Sequence, residues 1–186
     1  RGQKLAERPA AAVSDLWRKG AAFVDGAFVP VAEAKVSLLD WGFNKSDVTY
    51  DVVHAWGGAF FRLEDHLTRF ERSMAKLRMR IPHDRQAITE ILSSCVRRTG
   101  LKDSYVAMLT TRGMPLPGLP RKPSLIPNCF FAYALPWVDV VSPEIQARGA
   151  HLIIAKTPRI SPSSVDPTVK SYHWGDLTRA MFEAED

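Results

Sequence analysis

The chain has 186 residues, 46% hydrophobic and 24% charged, the balance of an ordinary globular protein of one domain or one domain plus part of another. It has no apolar run near the roughly 20 residues of a membrane helix and no signal-peptide core at its start, so neither a membrane span nor secretion is expected. The formal charge is +5, but residues 1–19 hold five basic and two acidic side chains. The excess therefore reads as a solvated basic segment, and no nucleic-acid partner is expected, because that would need a basic patch on a binding element.

In chain order, residues 1–20 form the basic segment. Residues 21–30 read as a hairpin, with Ala22-Phe23-Val24 and Ala27-Phe28-Val29 flanking Asp25-Gly26, a type I′ turn signal. Residues 47–61 read as a longer hairpin. Val48, Tyr50, Val52 and His54 alternate with Thr49, Asp51 and Val53, and Gly57-Gly58 turns the chain. Leu63, Leu67, Phe70, Met74 and Leu77 then recur at helical spacing, and Pro82 is expected to end that helix. A second helix near 84–99 buries Ile88, Ile91, Leu92, Cys95 and Val96, with Gly100 as its C-terminal cap.

Two strands follow, Ser104–Thr111 and Asn128–Leu135, separated by a loop over 113–123 that holds four prolines. That loop either stiffens a surface or closes over a neighbouring copy's site. The segment 21–136 is thus read as an N-terminal α+β domain, 137–145 as a linker, and 146–186 as the start of an incomplete C-terminal domain. In the last, 150–155 reads as a buried strand, 157–167 as a loop, and 171–183 as the opening of a helix carrying Trp174, Leu177 and Met181 on one face.

Cys95 and Cys129 are far apart and form neither a disulfide framework nor a metal pair, which suits a reducing, cytoplasmic setting. The sequence has no GxxxxGK[ST], HExxH or GxSxG, and His66, His83 and His173 lack metal-ligand spacing, so no metal is expected. Taken singly, Lys170 would be a surface lysine, Arg69 an ion-pair arginine and Tyr50 a packed sheet residue. Asp47 and Asp51 read as structural, bonding at a turn or strand edge, and Trp174 as a possible core anchor.

The motifs around them change that reading. Leu39-Asp-Trp-Gly-Phe-Asn-Lys-Ser-Asp-Val-Thr-Tyr-Asp-Val-Val53 is followed by Phe60-Phe-Arg-Leu-Glu-Asp-His-Leu-Thr-Arg-Phe-Glu-Arg-Ser73. Much later comes Asp166-Pro-Thr-Val-Lys-Ser-Tyr-His-Trp-Gly-Asp-Leu-Thr-Arg-Ala180. Together, over about residues 22–186, they resemble the fold-type IV pyridoxal-phosphate enzymes. That group includes branched-chain aminotransferases, D-amino-acid transaminases, aminodeoxychorismate lyases and (R)-selective amine transaminases. Trp-Gly-Asp-Leu after the lysine looks most like the last branch.

The resemblance implies a two-domain α/β fold, pyridoxal 5'-phosphate as cofactor, and a homodimer acting on an amine or amino acid and a keto acid such as pyruvate. It implies that Lys170 carries the cofactor as a Schiff base, that Arg69 binds its phosphate, and that Tyr50 lines the site. The chemistry fits these residue types. A Schiff-base lysine must lose its proton part of the time, which burial or a nearby cation favours. A guanidinium offers phosphate two parallel donors. The (R)-amine branch often has a histidine where this chain has Lys45, and its loop arginine falls near Gly118, close to Arg121. Lys45 and Arg121 are therefore expected to meet a substrate carboxylate. The carboxylate for the pyridine nitrogen and the remaining phosphate ligands are expected beyond residue 186. A lyase of the same family and an inactive dimerisation module are the alternatives.

Overall fold

The computed structural model describes residues 15–186. Six strands form one antiparallel sheet: β1 (Ala21–Val24), β2 (Ala27–Pro30), β3 (Val48–Trp56), β4 (Ala59–Phe60), β5 (Ser104–Thr111) and β6 (Cys129–Pro136), in the order β2-β1-β6-β5-β3-β4. The first hairpin closes as its sequence demands. Asp25 and Gly26 take φ of 50° and 77°, the left-handed pair of a type I′ turn, and Val24 faces Ala27. Before β3, a single helical turn, α1 (Trp41–Asn44), is capped by Asp40, whose Oδ1 accepts from the Gly42 N–H at 2.6 Å while its Oδ2 accepts from Thr111 Oγ1 at 2.8 Å. A Cβ on Gly42 would lie 2.6 Å from Thr111 Cβ, so only glycine lets this turn lie against β5.

Two helices cover one face of the sheet, α2 (Leu63–Lys76) and α3 (Arg85–Thr99). Their apolar stripes are the ones that the spacing predicts: Leu67, Phe70 and Met74 from α2, and Ile88, Ile91, Leu92, Cys95 and Val96 from α3. These pack on Val53, Ala55, Val106, Met108, Ala132 and Ala134 to form the core. Asp84 caps α3 by accepting from the Ala87 N–H at 2.8 Å, and Gly100, at φ 68°, ends it.

The end of α2 differs from expectation. It stops at Lys76, well before Pro82. Arg78 has φ 53°, its N–H bonds the Ala75 carbonyl, and the Met79 N–H bonds the Met74 carbonyl. That is the Schellman pair of closing bonds, with arginine where glycine is usual. Leu77, expected on the helical stripe, lies just past the helix.

Other differences lie at the two ends. The expected basic segment, 1–20, falls outside the described residues except for 15–20, where Trp17 packs on the core and the Arg98 guanidinium lies 5.5 Å from its ring. The expected linker 137–145 runs into a short helix, α4 (Pro143–Arg148), started by Ser142 and by proline at its first position. Residues 150–155 are not a buried strand. They have no regular structure and no strand partner among the described residues, with Leu152 and Ile154 almost fully exposed. An apolar run becomes a strand only with a ladder partner, and among the described residues none lies beside it. The last helix, α5 (Gly175–Glu185), starts four residues later than expected, since Ser171 bridges Thr49, and it has no buried residue; Trp174, just before it, and Met181 are exposed. Among the described residues, no helix is long and apolar enough to cross a membrane.

Candidate active site

Lys170 is fixed by its backbone before its side chain. Beyond the short hairpin strand β4, the outer edge of β3 has free hydrogen-bonding groups at Thr49 and Tyr50. The Lys170 carbonyl fills that gap, accepting from the Tyr50 N–H at 3.1 Å and from Thr49 Oγ1 at 2.8 Å, with Thr49 and Ser171 forming an antiparallel bridge. The lysine thus adds one bridge to the sheet although it comes about 120 residues later in the chain.

Its amine then meets Tyr50. Nζ donates to Tyr50 Oη at 3.2 Å and lies 4.2 Å from the ring centroid. Tyr50 is 7% exposed, and its ring is 4.5 Å from that of Tyr172. Burial pushes the Tyr172 hydroxyl up to about 12, with Tyr50 and Tyr105 adding to the shift, so it stays a neutral donor at physiological pH. Lys170 and Tyr50 face a cavity of about 360 Å³ whose far wall is the loop from Arg159 to Pro167 and the start of α5.

That loop is tied down by carboxylates. Asp176, in the Trp-Gly-Asp-Leu motif, accepts from the Ile160 N–H at 2.8 Å and pairs with Arg159 at 2.7 Å. Asp166 pairs with Lys76 of α2 at 2.8 Å, and Lys76 also donates to Thr168. These contacts hold the Asp166 carboxyl well below the usual range, the Lys76 bond contributing most.

Arg69 sits on the other side of β3. Side chains alternate along a strand, so Tyr50 faces the cavity while Asp51 faces α2. There the Asp51 carboxylate, fully buried, accepts from Arg69 Nε at 2.6 Å and Nη2 at 2.8 Å. It also bonds His66 Nδ1 at 2.9 Å and the Val52 N–H at 2.7 Å. Burial pushes the Asp51 carboxyl up, but the bonds from Arg69 and His66 outweigh it and leave it below its ordinary value. The same pairing raises Arg69 further. Among the described residues Arg69 Nη1 has no hydrogen-bond partner, leaving one edge of the guanidinium for an anion.

The structure therefore brings Lys170 and Tyr50 together and leaves Arg69 on the opposite face of β3, outside the cavity's wall. Lys45 lies in a second cavity, about 320 Å³, that shares the wall from Val165 to His173 with the first, and its Nζ is 5.0 Å from the Trp41 ring. Arg121 is elsewhere. It lines an apolar groove with Leu39, Met114 and Leu116 that shares no residue with the Lys170 cavity.

Asp47 and Asp51 do carry structure, as ion-pair anchors rather than turn or edge residues. Asp47 receives Arg112 at 2.8 and 3.1 Å. Thr49, Lys76 and Tyr172 escaped the sequence reading. For Asp51 a signal was present: a charge in mid-strand needs a partner, and His66 and Arg69, three apart on one helix face, are suitable ones. For Thr49 and Lys76 there was none, because their partners lie more than 80 residues away.

A family model described as amino-transferase class IV matches residues 49–186. The chain belongs to that family. A provisionally named branched-chain-amino-acid aminotransferase of Methanocaldococcus jannaschii is 28% identical over 166 residues, 87% of this chain and 54% of that protein. A D-alanine aminotransferase of Listeria monocytogenes is 30% identical over 94 residues, 50% of this chain and 32% of that protein. The crystal structure of a T.th. branched-chain amino acid aminotransferase with pyridoxamine 5'-phosphate gives a TM-score of 0.76 at 27% identity, covering 89% of this chain and 55% of that one. The class IV fold is thus shared along most of the chain, which spans about half the length of the two branched-chain relatives.

Proposed function

We propose that this class IV aminotransferase chain carries the lysine face of a pyridoxal 5'-phosphate site and serves amino-group transfer from an amine or amino acid to a keto acid such as pyruvate. The observation that carries the reading is the Lys170 amine held at 3.2 Å from Tyr50 over a cavity. The residues present fit the cofactor. A primary amine faces a cavity of about 360 Å³, and across β3 a guanidinium anchored by Asp51 keeps one edge unpaired among the described residues. A relative's structure, under its own name, contains pyridoxamine 5'-phosphate.

When bound, the cofactor supplies an electrophilic carbonyl and an electron-withdrawing ring. Lys170 is the nucleophile that attaches it and, once released, the base that moves a proton at the substrate carbon. Tyr50 holds the Lys170 amine in place. Arg69 binds the phosphate, oriented by Asp51 and His66. Lys45, across the shared wall, and Arg121 are assigned to a substrate carboxylate; the separation of Arg121 from the cavity favours Lys45 of the two. Residues 146–186 open the cofactor-binding domain after a linker at 137–145. The working form is a homodimer, in a reducing, cytoplasmic setting that suits two free cysteines. Trp-Gly-Asp-Leu favours an (R)-amine donor.

The test is covalent. Purified full-length protein supplied with pyridoxal 5'-phosphate develops visible Schiff-base absorbance, and borohydride fixes the added mass on the peptide that contains Lys170. A preparation with neither signal overturns the reading in favour of a dimerisation module. Product analysis with and without a keto-acid acceptor separates transfer from a lyase reaction.

A further inference from the structure

Some arginines of this chain are committed to carboxylates and others are not. Arg62, Arg69, Arg85, Arg97 and Arg159 each form an ion pair with an aspartate or glutamate. Arg78 and Arg80 form none among the described residues, yet both line one cavity of about 730 Å³ at the end of the sheet. Arg112 lines it too. No aspartate or glutamate does, and the cavity shares no residue with the one at Lys170.

The frame of this cavity is rigid. Arg112 is 7% exposed and is spent on structure: Nε and Nη2 bind the Asp47 carboxylate, and Nη2 also donates to the Leu77 carbonyl at 2.8 Å. Asn128 accepts from the Arg80 N–H at 2.7 Å and donates to the Arg112 carbonyl at 3.0 Å. Residues 77–80, 112 and 128 are thereby cross-linked, and Pro123 and Pro127 stiffen the facing wall. Between Arg78 and Arg80, Met79 is buried at 4% exposure, which sends its two neighbours outward together.

Arg78 is also where the backbone is strained. It occupies the left-handed position that closes α2, at φ 53°, where glycine is the usual residue. A long cationic side chain at such a position is a reason to look for a function that it serves.

We propose that this cavity binds a small organic phosphate, held by the guanidinium groups of Arg78 and Arg80 with the Ser124 hydroxyl, and is separate from the cofactor site. Two guanidinium forks supply the many N–H donors that a tetrahedral dianion takes up. The Ser124 hydroxyl has no hydrogen bond among the described residues, and Leu77, Ile126 and the two prolines give the organic part an apolar seat. The volume lies in the range of small-molecule sites.

The experiment uses the full-length holoenzyme, whose cofactor fills its own phosphate site. Inorganic phosphate and, separately, succinate are titrated calorimetrically at constant ionic strength, with chloride as the balancing anion. Saturable phosphate binding, tighter than succinate binding, is expected. Arg80→Gln and Arg78→Gly each weaken it about tenfold or more, the loss of one charge-assisted contact. Arg148→Gln, which removes one exposed charge elsewhere, leaves it unchanged. Arg78→Gly is the sharper variant, because glycine suits φ 53°: its melting temperature rises while its phosphate affinity falls, so misfolding cannot explain the loss. Absence of saturable binding overturns the proposal. So does equal weakening by Arg148→Gln, or binding that survives the Arg78→Gly/Arg80→Gln pair. Succinate binding as tightly as phosphate overturns the phosphate assignment.

Discussion

Residues 21–136 and 137–186 hold their shapes by different means. The first segment has a layered interior, with two helices on an antiparallel sheet and a continuous apolar core. In the second, Val169 is the one buried residue among those described. Its order comes from polar ties: the Lys170 carbonyl on β3, Asp166 on Lys76, and Glu183 and Asp176 on the backbone of residues 156–160. The contrast teaches where Lys170 gets its precision. It is borrowed from the neighbouring sheet through a handful of directional bonds, and the core's contribution is to make that sheet stiff.

Substitutions can break the two kinds of order separately. The largest effect is chemical: Lys170→Ala abolishes borohydride-trappable cofactor, read by mass spectrometry, while urea unfolding of the sheet domain stays as in the wild type. Next is Phe70→Ala, which removes a fully buried ring and costs about 4 kcal/mol in urea unfolding. Because the layer supports the lysine, cofactor attachment falls with it. A stability loss below about 1 kcal/mol would show that the layer is not what holds the sheet.

Asp51→Asn ranks third, about 2 kcal/mol at neutral pH, since a buried acceptor of several charge-assisted bonds is weakened. The pH dependence has a definite sign. The Asp51 carboxyl is held below 3.8 in the folded state, so its contribution is complete above about pH 4 and is lost as pH falls through the lower folded value. Wild type and variant should therefore converge in acid, and an unchanged gap at low pH would exclude the ion pair as the cause. Arg78→Gly is a smaller effect of opposite direction, a gain of about 1 kcal/mol from relieving a left-handed L-residue. The smallest is Lys76→Ala. An exposed, solvent-screened pair contributes little, so the melting temperature hardly moves. Amide exchange at Thr168 and Val169 should nevertheless quicken while that of α2 and α3 does not.

The same division decides what the sequence could tell. The hairpin at Asp25-Gly26, the stripes of α2 and α3, and the Gly100 cap are local patterns, and each formed where expected. Strand β5 matched its expected limits to the residue. The misreadings were all failures of local information. Residues 150–155 have a strand's composition but no ladder partner among the described residues. Pro82 was an obvious stop signal, yet Arg78 in an unusual conformation ended α2 earlier. At the site, the roles proposed for Lys170, Arg69 and Tyr50 rest on their flanking motifs. That Asp51 stands between Arg69 and His66, and that Thr49 grips Lys170, depends on which face of β3 each residue occupies, and contacts settle that.

The bridge between Thr49 and Ser171 has a consequence for how this protein can vary. It makes β3 the ruler against which the lysine is measured. A residue inserted between the ties at Ile160 and Asp166 would leave both ties in place. One inserted between Thr168 and Lys170 would shift the pairing by a single step and turn the amine to the opposite side of the strand, away from Tyr50. Length should therefore vary between Ile160 and Asp166 and be frozen for the few residues that follow.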